Sequence, residues 1–330
     1  MSLVHDTLAS HPLARKFEQL GPAHVFQAVE ATGRRCTGRF FALNSYENRV
    51  YQVEVETGPA IVAKFYRPGR WSIDALEDEH DFIFELAEAG VSVAQPLLHS
   101  DGYSVGSLEQ GIHYALYERV QGRVKDEPNE QELEQLGRVL GLIHNVGDMR
   151  PACHRPRLDV ETWGVPSLDS INRSGMLPTP VETQYNELAT NIFEFLTEAL
   201  DVEPMHRIHG DCHHANILWD GPEPVFLDFD DCISGPGVQD VWMLAPSADS
   251  FGQRRRQHLL YGYEQARDFD HSSLQLIEPL RALRMIRYSG WVTRRWHDQT
   301  FQRTFAHFLT DQYWFDEVNR LRDVVDSLSV

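Results

Sequence analysis

At 330 residues with a hydrophobic fraction of 42%, the chain is long enough to bury a sizeable core as one large or two modest domains. Its formal net charge of −19 argues against nonspecific nucleic-acid binding, which needs basic surface to neutralise phosphates. No stretch approaches the ~20 apolar residues that span a bilayer. The four scattered cysteines (Cys36, Cys153, Cys212, Cys232) form no C-x-x-C pair, as expected of reduced thiols in a cytoplasmic protein.

Residues 1–24 read as a polar, proline-punctuated leader without the apolar run of a signal peptide, its prolines interrupting any long helix. A short amphipathic helix is expected from Phe26 to Gly33. Strands follow at Arg39–Leu43, Arg49–Glu56 and Ile61–Tyr66, separated by the loop Asn44–Asn48 and the turn Thr57-Gly58-Pro59. The second strand alternates Tyr51, Val53 and Val55 against Val50, Gln52, Glu54 and Glu56, an interval of two.

Lys64 interrupts the third apolar run, so it either faces water on an edge strand or has a buried partner. The next segment, Trp71–Ala89, reads as a helix stopped by Gly90, with acids at Asp74, Glu77, Asp78, Glu79, Asp81 and Glu85. One of them can pair with Lys64 and let it hold nucleotide phosphates, as a kinase does; Glu79 is the first choice and Glu77 the second. Most of the other acids read as a solvated face. Val91–Pro96, Tyr103–Ser107 and Ile112–Val120 suggest three more strands. At the end of the last, backbone groups around Glu118 to Val120 would meet an adenine edge, as in a kinase hinge.

The period then becomes helical: Leu133, Leu136, Val139, Leu140 and Ile143 form one apolar stripe over Glu130–Asn145. His144, at its end, is expected to be structural and to bond the catalytic loop. Residues 148–180, rich in Pro, Arg and Ser, read as a long excursion with few regular elements. A helix is expected over Tyr185–Asp201, and three more over 251–268, 274–298 and 310–328. The middle one of these carries Arg281, Arg284, Arg287, Arg294 and Arg295. Pairing with nearby carboxylates is the favoured reading of that stripe, and an acidic substrate or phosphate the alternative.

The most informative stretch is RIHGDCHHANILWDGPEPVFLDFDDCISGPGVQDVWML, Arg207 to Leu244. Two short buried strands, Ile217–Trp219 and Val225–Leu227, flank an Asp-Gly-Pro turn and present polar groups at one end. H-x-D-x-x-x-x-N followed by a strand ending in Asp is the catalytic-loop and metal-loop pair of kinase-like folds. Asp211 is placed to accept a proton. Asn216 and Asp228 offer the hard-oxygen ligands that magnesium prefers. The rival is a zinc or iron site of a hydrolase, because His206, His209, Asp211, Cys212, His213 and His214 crowd together. Cys212 itself is expected to be a packed, inert thiol rather than an oxidant sensor.

HGDCHHANILW, VFLDFDD and GPGVQDVWML, with upstream LNSYENRVYQV and VAKFYRP and downstream IEPLRALRMI, closely resemble the bacterial stress response kinase A family, from about Leu43 to Trp296. The resemblance implies a two-lobed α+β, protein-kinase-like fold related to aminoglycoside and choline kinases. An N-terminal antiparallel sheet plus helix (25–120) would precede a mainly helical C-terminal lobe (121–330), with ATP in the cleft between them. It implies a magnesium- and ATP-dependent serine/threonine protein kinase of the stress response. Asp211 would be the proton acceptor and Asn216 and Asp228 the magnesium ligands, with Asp228 also counted as catalytic. Ser45 and Lys64 would contact the nucleotide, and His209 and Asp240 would support the catalytic loop.

Three features depart from ordinary protein kinases: a glycine-free loop Asn44–Asn48, Asp-Phe-Asp in place of Asp-Phe-Gly, and no Ala-Pro-Glu segment, so no conventional activation loop is expected. The alternative is a small-molecule kinase of aminoglycoside, choline or homoserine type on the same fold, with the hydrolase a weaker one. A monomer with a protein acceptor, binding neither nucleic acid nor membrane, completes the expectation. The acceptor and any self-phosphorylation are left open.

Overall fold

A computed structural model describes residues 13–328, so the leader expected over 1–24 lies partly outside the described residues. Its described part holds helix α1 (Ala14–Glu18) and the start of α2 (Pro22–Glu30), which stands in place of the helix expected from Phe26 to Gly33 but begins and ends earlier. Pro22 therefore opens a helix instead of interrupting one, because the first helical position needs no N–H. Strands β1 (Cys36–Leu43), β2 (Arg49–Val55) and β3 (Ile61–Phe65) lead into helix α3 (Ile73–Glu88), whose Ser72 cap accepts the Ala75 amide. Two strands follow, β4 (Gly106–Ser107) and β5 (His113–Glu118). All five form one antiparallel sheet in the order β1-β2-β3-β5-β4.

Lys64 thus lies on the central strand, opposite Val50 and Ala115, and is buried. Ile61, Ala63 and Phe65 pack with Val25, Ala28 and Val29 of α2, while Val62 and Lys64 alternate onto the cleft side. The strand expected at Val91–Pro96 does not form. Ala94 N–H bonds Phe226 and Leu97 N–H bonds Leu116, so the segment crosses between two sheets without a continuous neighbour in either. The strand expected at Tyr103–Ser107 shrinks to β4.

The second half of the chain is mainly helical. It opens with α4 (Glu130–Met149), which starts in a reciprocal capping box between Asn129 and Glu132. The expected irregular excursion instead contains a π-helical turn (Val160–Gly164) running into α5 (Val165–Ser174), and α6 (Thr179–Val202) begins before Tyr185. Pro166 sits in the first turn of α5, where proline starts a helix rather than breaking one. Four short strands, β6 (His206–Ile208), β7 (Ile217–Asp220), β8 (Glu223–Phe226) and β9 (Ile233–Gly235), pair as β6-β9 and β7-β8. The remaining helices are α7 (Val238–Leu244), α8 (Ser250–Tyr263), α9 (Ile277–Arg294), α10 (Gln299–Thr304) and α11 (Asp311–Leu328).

One core gathers α5, α6, α9 and α11 around Tyr185, Ile286 and Trp314, and another joins α3, α4 and α8 to the β7-β8 hairpin. Gly137 and Gly262 let α4 and α8 touch backbone to backbone. A Cβ on Gly137 would lie 1.8 Å from the Leu259 carbonyl oxygen, and one on Gly262 1.8 Å from that of Glu134. Among the described residues no helix is long and apolar enough to cross a membrane. This arrangement, an antiparallel sheet with helices set against a helical lobe, is the α+β kinase-like architecture expected from the sequence.

Candidate active site

A cleft of about 1860 Å³ lies between the five-stranded sheet and the helical half, and Ser45, Lys64, Glu118, Val120, Asp211, Asn216 and Asp228 all line it. On the sheet side, Lys64 Nζ lies 2.8 Å from Asp228 Oδ1, 3.5 Å from Asp230 Oδ1 and 3.6 Å from Glu79 Oε1. Burial disfavours the ammonium, but Asp228, Asp230 and Glu79 outweigh it and hold its pKa well above the ordinary range. Glu79 is fully buried; Glu77 is only partly so and makes no ion pair with Lys64. Several acids expected on a solvated face are used as well: Glu85 pairs with Arg150 and Arg207, and Asp78 accepts the His154 amide.

Arg155, in the stretch expected to be irregular, is the residue that sequence reasoning missed. It is buried and donates to the Ala75 carbonyl (2.7 Å), the Asp230 carbonyl (2.6 Å) and Glu79 Oε2 (2.8 Å), with its guanidinium over the Trp71 ring. It therefore ties α3 to the loop after β8. Arg70 adds a second tie by pairing with both Asp230 and Asp231.

The loop after β6 is shaped by Gly210. Its φ is +79°, and a Cβ there would lie 2.2 Å from the Asp231 carbonyl oxygen, so no side chain is accommodated. Asp240, fully buried on α7, accepts the amides of His209 (2.8 Å) and Gly210 (2.9 Å) with separate oxygens. His144 reaches this loop through Asp240 (3.2 Å) rather than directly, and its other nitrogen meets the Tyr263 hydroxyl. His209 Nε2 bonds the Leu227 carbonyl, joining this loop to the strand end that carries Asp228. Asp228 has a φ of 55°, the only positive φ outside glycine among the described residues. Such strain clusters at functional sites.

Asp211 pairs with Arg284 and lies 3.3 Å from His213 Nε2. Burial would raise its pKa, but the hydrogen bond from His213 and the charge of Arg284 bring it far below the carboxylate range. The amide of Asn216 donates to the Asp211 carbonyl (3.0 Å), so its own oxygen is not used there. That oxygen and the half-exposed Asp228 carboxylate both line the cleft, and both are hard-oxygen groups of the kind magnesium prefers.

The zinc or iron alternative is not supported by the side chains: among the described residues no three His, Cys, Asp or Glu groups converge as a metal site. His206 and His209 are buried, and Cys212 lies in the core beneath the loop. Ser45 Oγ accepts the Asn48 amide (3.3 Å) and so helps close its own loop. The Glu118 side chain pairs outward with Arg34. The loop's Glu47 is gripped by Arg295 (2.5 Å) and Trp291 (2.6 Å) of the helical half, and despite burial its pKa falls to about 2 beside Arg295, Arg70 and Arg67.

The phosphotransferase enzyme family (APH) matches residues 40–277. Stress response kinase A of Salmonella paratyphi A is 35% identical over 90% of both chains, and that of Escherichia coli K12 33% identical over the same share. A Salmonella typhimurium relative named serine/threonine protein kinase RdoA is 35% identical, again over 90% of each chain. The resemblance drawn from the motifs is thereby confirmed. Among solved structures, the amicoumacin kinase hAmiN, in complex with AMP-PNP, Ca²⁺ and Ami, superposes with a TM-score of 0.78 at 21% identity, covering 95% of this chain and 96% of its own. A spectinomycin phosphotransferase superposes at 0.66 with 15% identity, covering 92% and 98%.

Proposed function

Because the chain belongs to the phosphotransferase enzyme family, we propose that it is an ATP- and magnesium-dependent kinase that phosphorylates serine or threonine hydroxyls of a protein. The observation that carries the reading is the facing of two sets across one cleft: Lys64 among Glu79, Asp228 and Asp230, and Asp211 with Asn216. Phosphoryl transfer asks a protein for positioning and charge neutralisation, which these groups supply. Lys64, fixed by Glu79, would hold the α- and β-phosphates, and the hinge around Glu118 to Val120 the adenine.

Asn216 and Asp228 would hold magnesium, which when bound neutralises phosphate charge. Asp211 would orient the acceptor hydroxyl. As the new O–P bond forms and the bond from the γ-phosphorus to ADP breaks, the hydroxyl proton passes to Asp211. His209 and Asp240 would brace this loop. The nucleotide would lie in the cleft between lobes 25–120 and 121–330 of a cytoplasmic monomer.

A small-molecule kinase is the second reading, and the drug-phosphorylating neighbours of the fold favour it. Transfer of γ-labelled phosphate from Mg-ATP separates the two when a generic protein and a pool of amino-alcohol and sugar acceptors are offered together. Label in protein that disappears in Asp211→Ala supports the protein kinase. Label only in small molecules moves the chain to the second reading, and undiminished transfer by Asp211→Ala overturns the assignment of Asp211.

A further inference from the structure

In a chain of net charge −19, one wall of the cleft is basic: Arg281, Arg284, Arg287, Arg294 and Arg295 all face it from α9 and its C-cap. Four of the five have carboxylate partners: Glu278 for Arg281, Asp211 for Arg284, Asp231 for Arg287 and Glu47 for Arg295. Arg294 has none among the described residues, only the Pro166 carbonyl at 3.3 Å. Burial and the adjacent Arg295 and Arg287 bring its pKa down to about 10, the mark of a cation short of counter-charge. Arg295 is 3% exposed, yet its Nε and Nη1 have no hydrogen-bond acceptor. Buried guanidinium N–H groups are seldom left without one. Arg287 Cζ lies over the Trp163 ring, 3.7 Å from its centroid, a cation–π contact that helps hold the side chain in the cleft wall.

The Arg284–Asp211 pair connects this basic wall to the proposed chemistry. Arg284 pairs with Asp211 Oδ1, while Oδ2 lies 3.3 Å from His213 Nε2, so Arg284 competes with an incoming hydroxyl for this carboxylate. An anion on the acceptor would draw Arg284 off.

We propose that the acceptor is acidic: a serine or threonine peptide with a carboxylate or phosphate within a residue or two of the accepting hydroxyl. The anion lodges among Arg284, Arg287 and Arg294 and exchanges with Asp211 on Arg284. This specificity rests on the kinase reading, and it makes the acceptor's charge the signal that frees Asp211. Arg284 acts as a positioning residue rather than a catalytic one.

The test compares kcat/KM for serine peptides flanked by Asp, by phosphoserine, by Ala or by Lys, alongside hydroxy acids and phosphosugars, in wild type, Arg294→Lys and Arg294→Glu. Thermal melting with and without Mg-ATP establishes that each variant is folded and binds nucleotide. Wild type should favour the Asp- and phosphoserine-flanked peptides over the Lys-flanked one by about 30-fold or more, with the preference shrinking as salt rises. Arg294→Lys should keep most of this preference and Arg294→Glu should abolish it. Equal use of acidic, neutral and basic peptides overturns the proposal while leaving the kinase reading intact. Transfer confined to anionic small molecules overturns the peptide acceptor. Failure to transfer label to any acceptor sinks the kinase reading itself.

Discussion

Replacing Arg155 by Met should destabilise the fold by about 3–5 kcal/mol, because it leaves a buried carboxylate short of a counter-charge. Arg155 and Glu79 are both buried, and the guanidinium donates to Glu79 and to the carbonyls of Ala75 and Asp230. Methionine fills much of the volume but satisfies none of those three acceptors, and Lys64 at 3.6 Å becomes the remaining cation paired with Glu79. Burial already raises the Glu79 pKa, with Lys64 and Arg155 pulling against it, so the variant should raise it further.

A carboxyl whose pKa rises in the folded state gives stability that is present below its unfolded pKa and lost as the pH climbs through the folded one. The cost of Arg155→Met should therefore be larger at pH 8 than at pH 5.5. Denaturant titration followed by tryptophan fluorescence at the two pH values measures both. A loss below about 1 kcal/mol at pH 8, or one identical at both pH values, would refute the reasoning; Arg155→Lys, which keeps charge but not the three-way reach, should fall between.

Glu317, buried among Tyr185, Ser289 and Tyr313, has its pKa raised by burial from 4.5 to about 7. Its contribution is fully present below about pH 4.5 and is lost as the pH rises through 7, about 3 kcal/mol in all. Glu317→Gln should flatten that part of the pH–stability profile and gain stability at pH 8, since the hydroxyls can rotate to suit an amide. An unchanged slope between pH 5 and 8 would count against it. Among the thiols, Cys153 is exposed, while Cys212 and Cys232 are buried, with Cys232 pushed up to about 12 by burial and Cys212 raised by burial beside Asp240 and Asp211. A thiol reagent at pH 8 should label Cys153 first and reach Cys212 only in denaturant. Labelling of Cys212 at the Cys153 rate in the native protein would show an accessible, reactive thiol instead.

The features legible in the chain are those written over a few consecutive residues. The alternation of β2, the apolar stripe of α4, the lysine inside the apolar run of β3 and the spacing of His209, Asp211 and Asn216 each carry their geometry in a local period or motif. Pairings across the chain are not written that way. Nothing near Arg155 distinguishes it from Arg150 or Arg157 in the same stretch, and its burial depends on α3 and the loop after β8 meeting above it. Val91–Pro96 has strand-like residues, but a strand also needs a neighbour, and here the segment is shared between two sheets. The arginines of α9 are visible as a stripe, and their partners can be expected only as a class. That those partners include Asp211, Asp231 and Glu47 follows from how the helical half packs against the loops after β1, β6 and β8. Backbone period and motif chemistry are properties of short segments, so sequence alone determined them. Which buried charge meets which is decided by distances between segments far apart in the chain, and those exist only once it has folded.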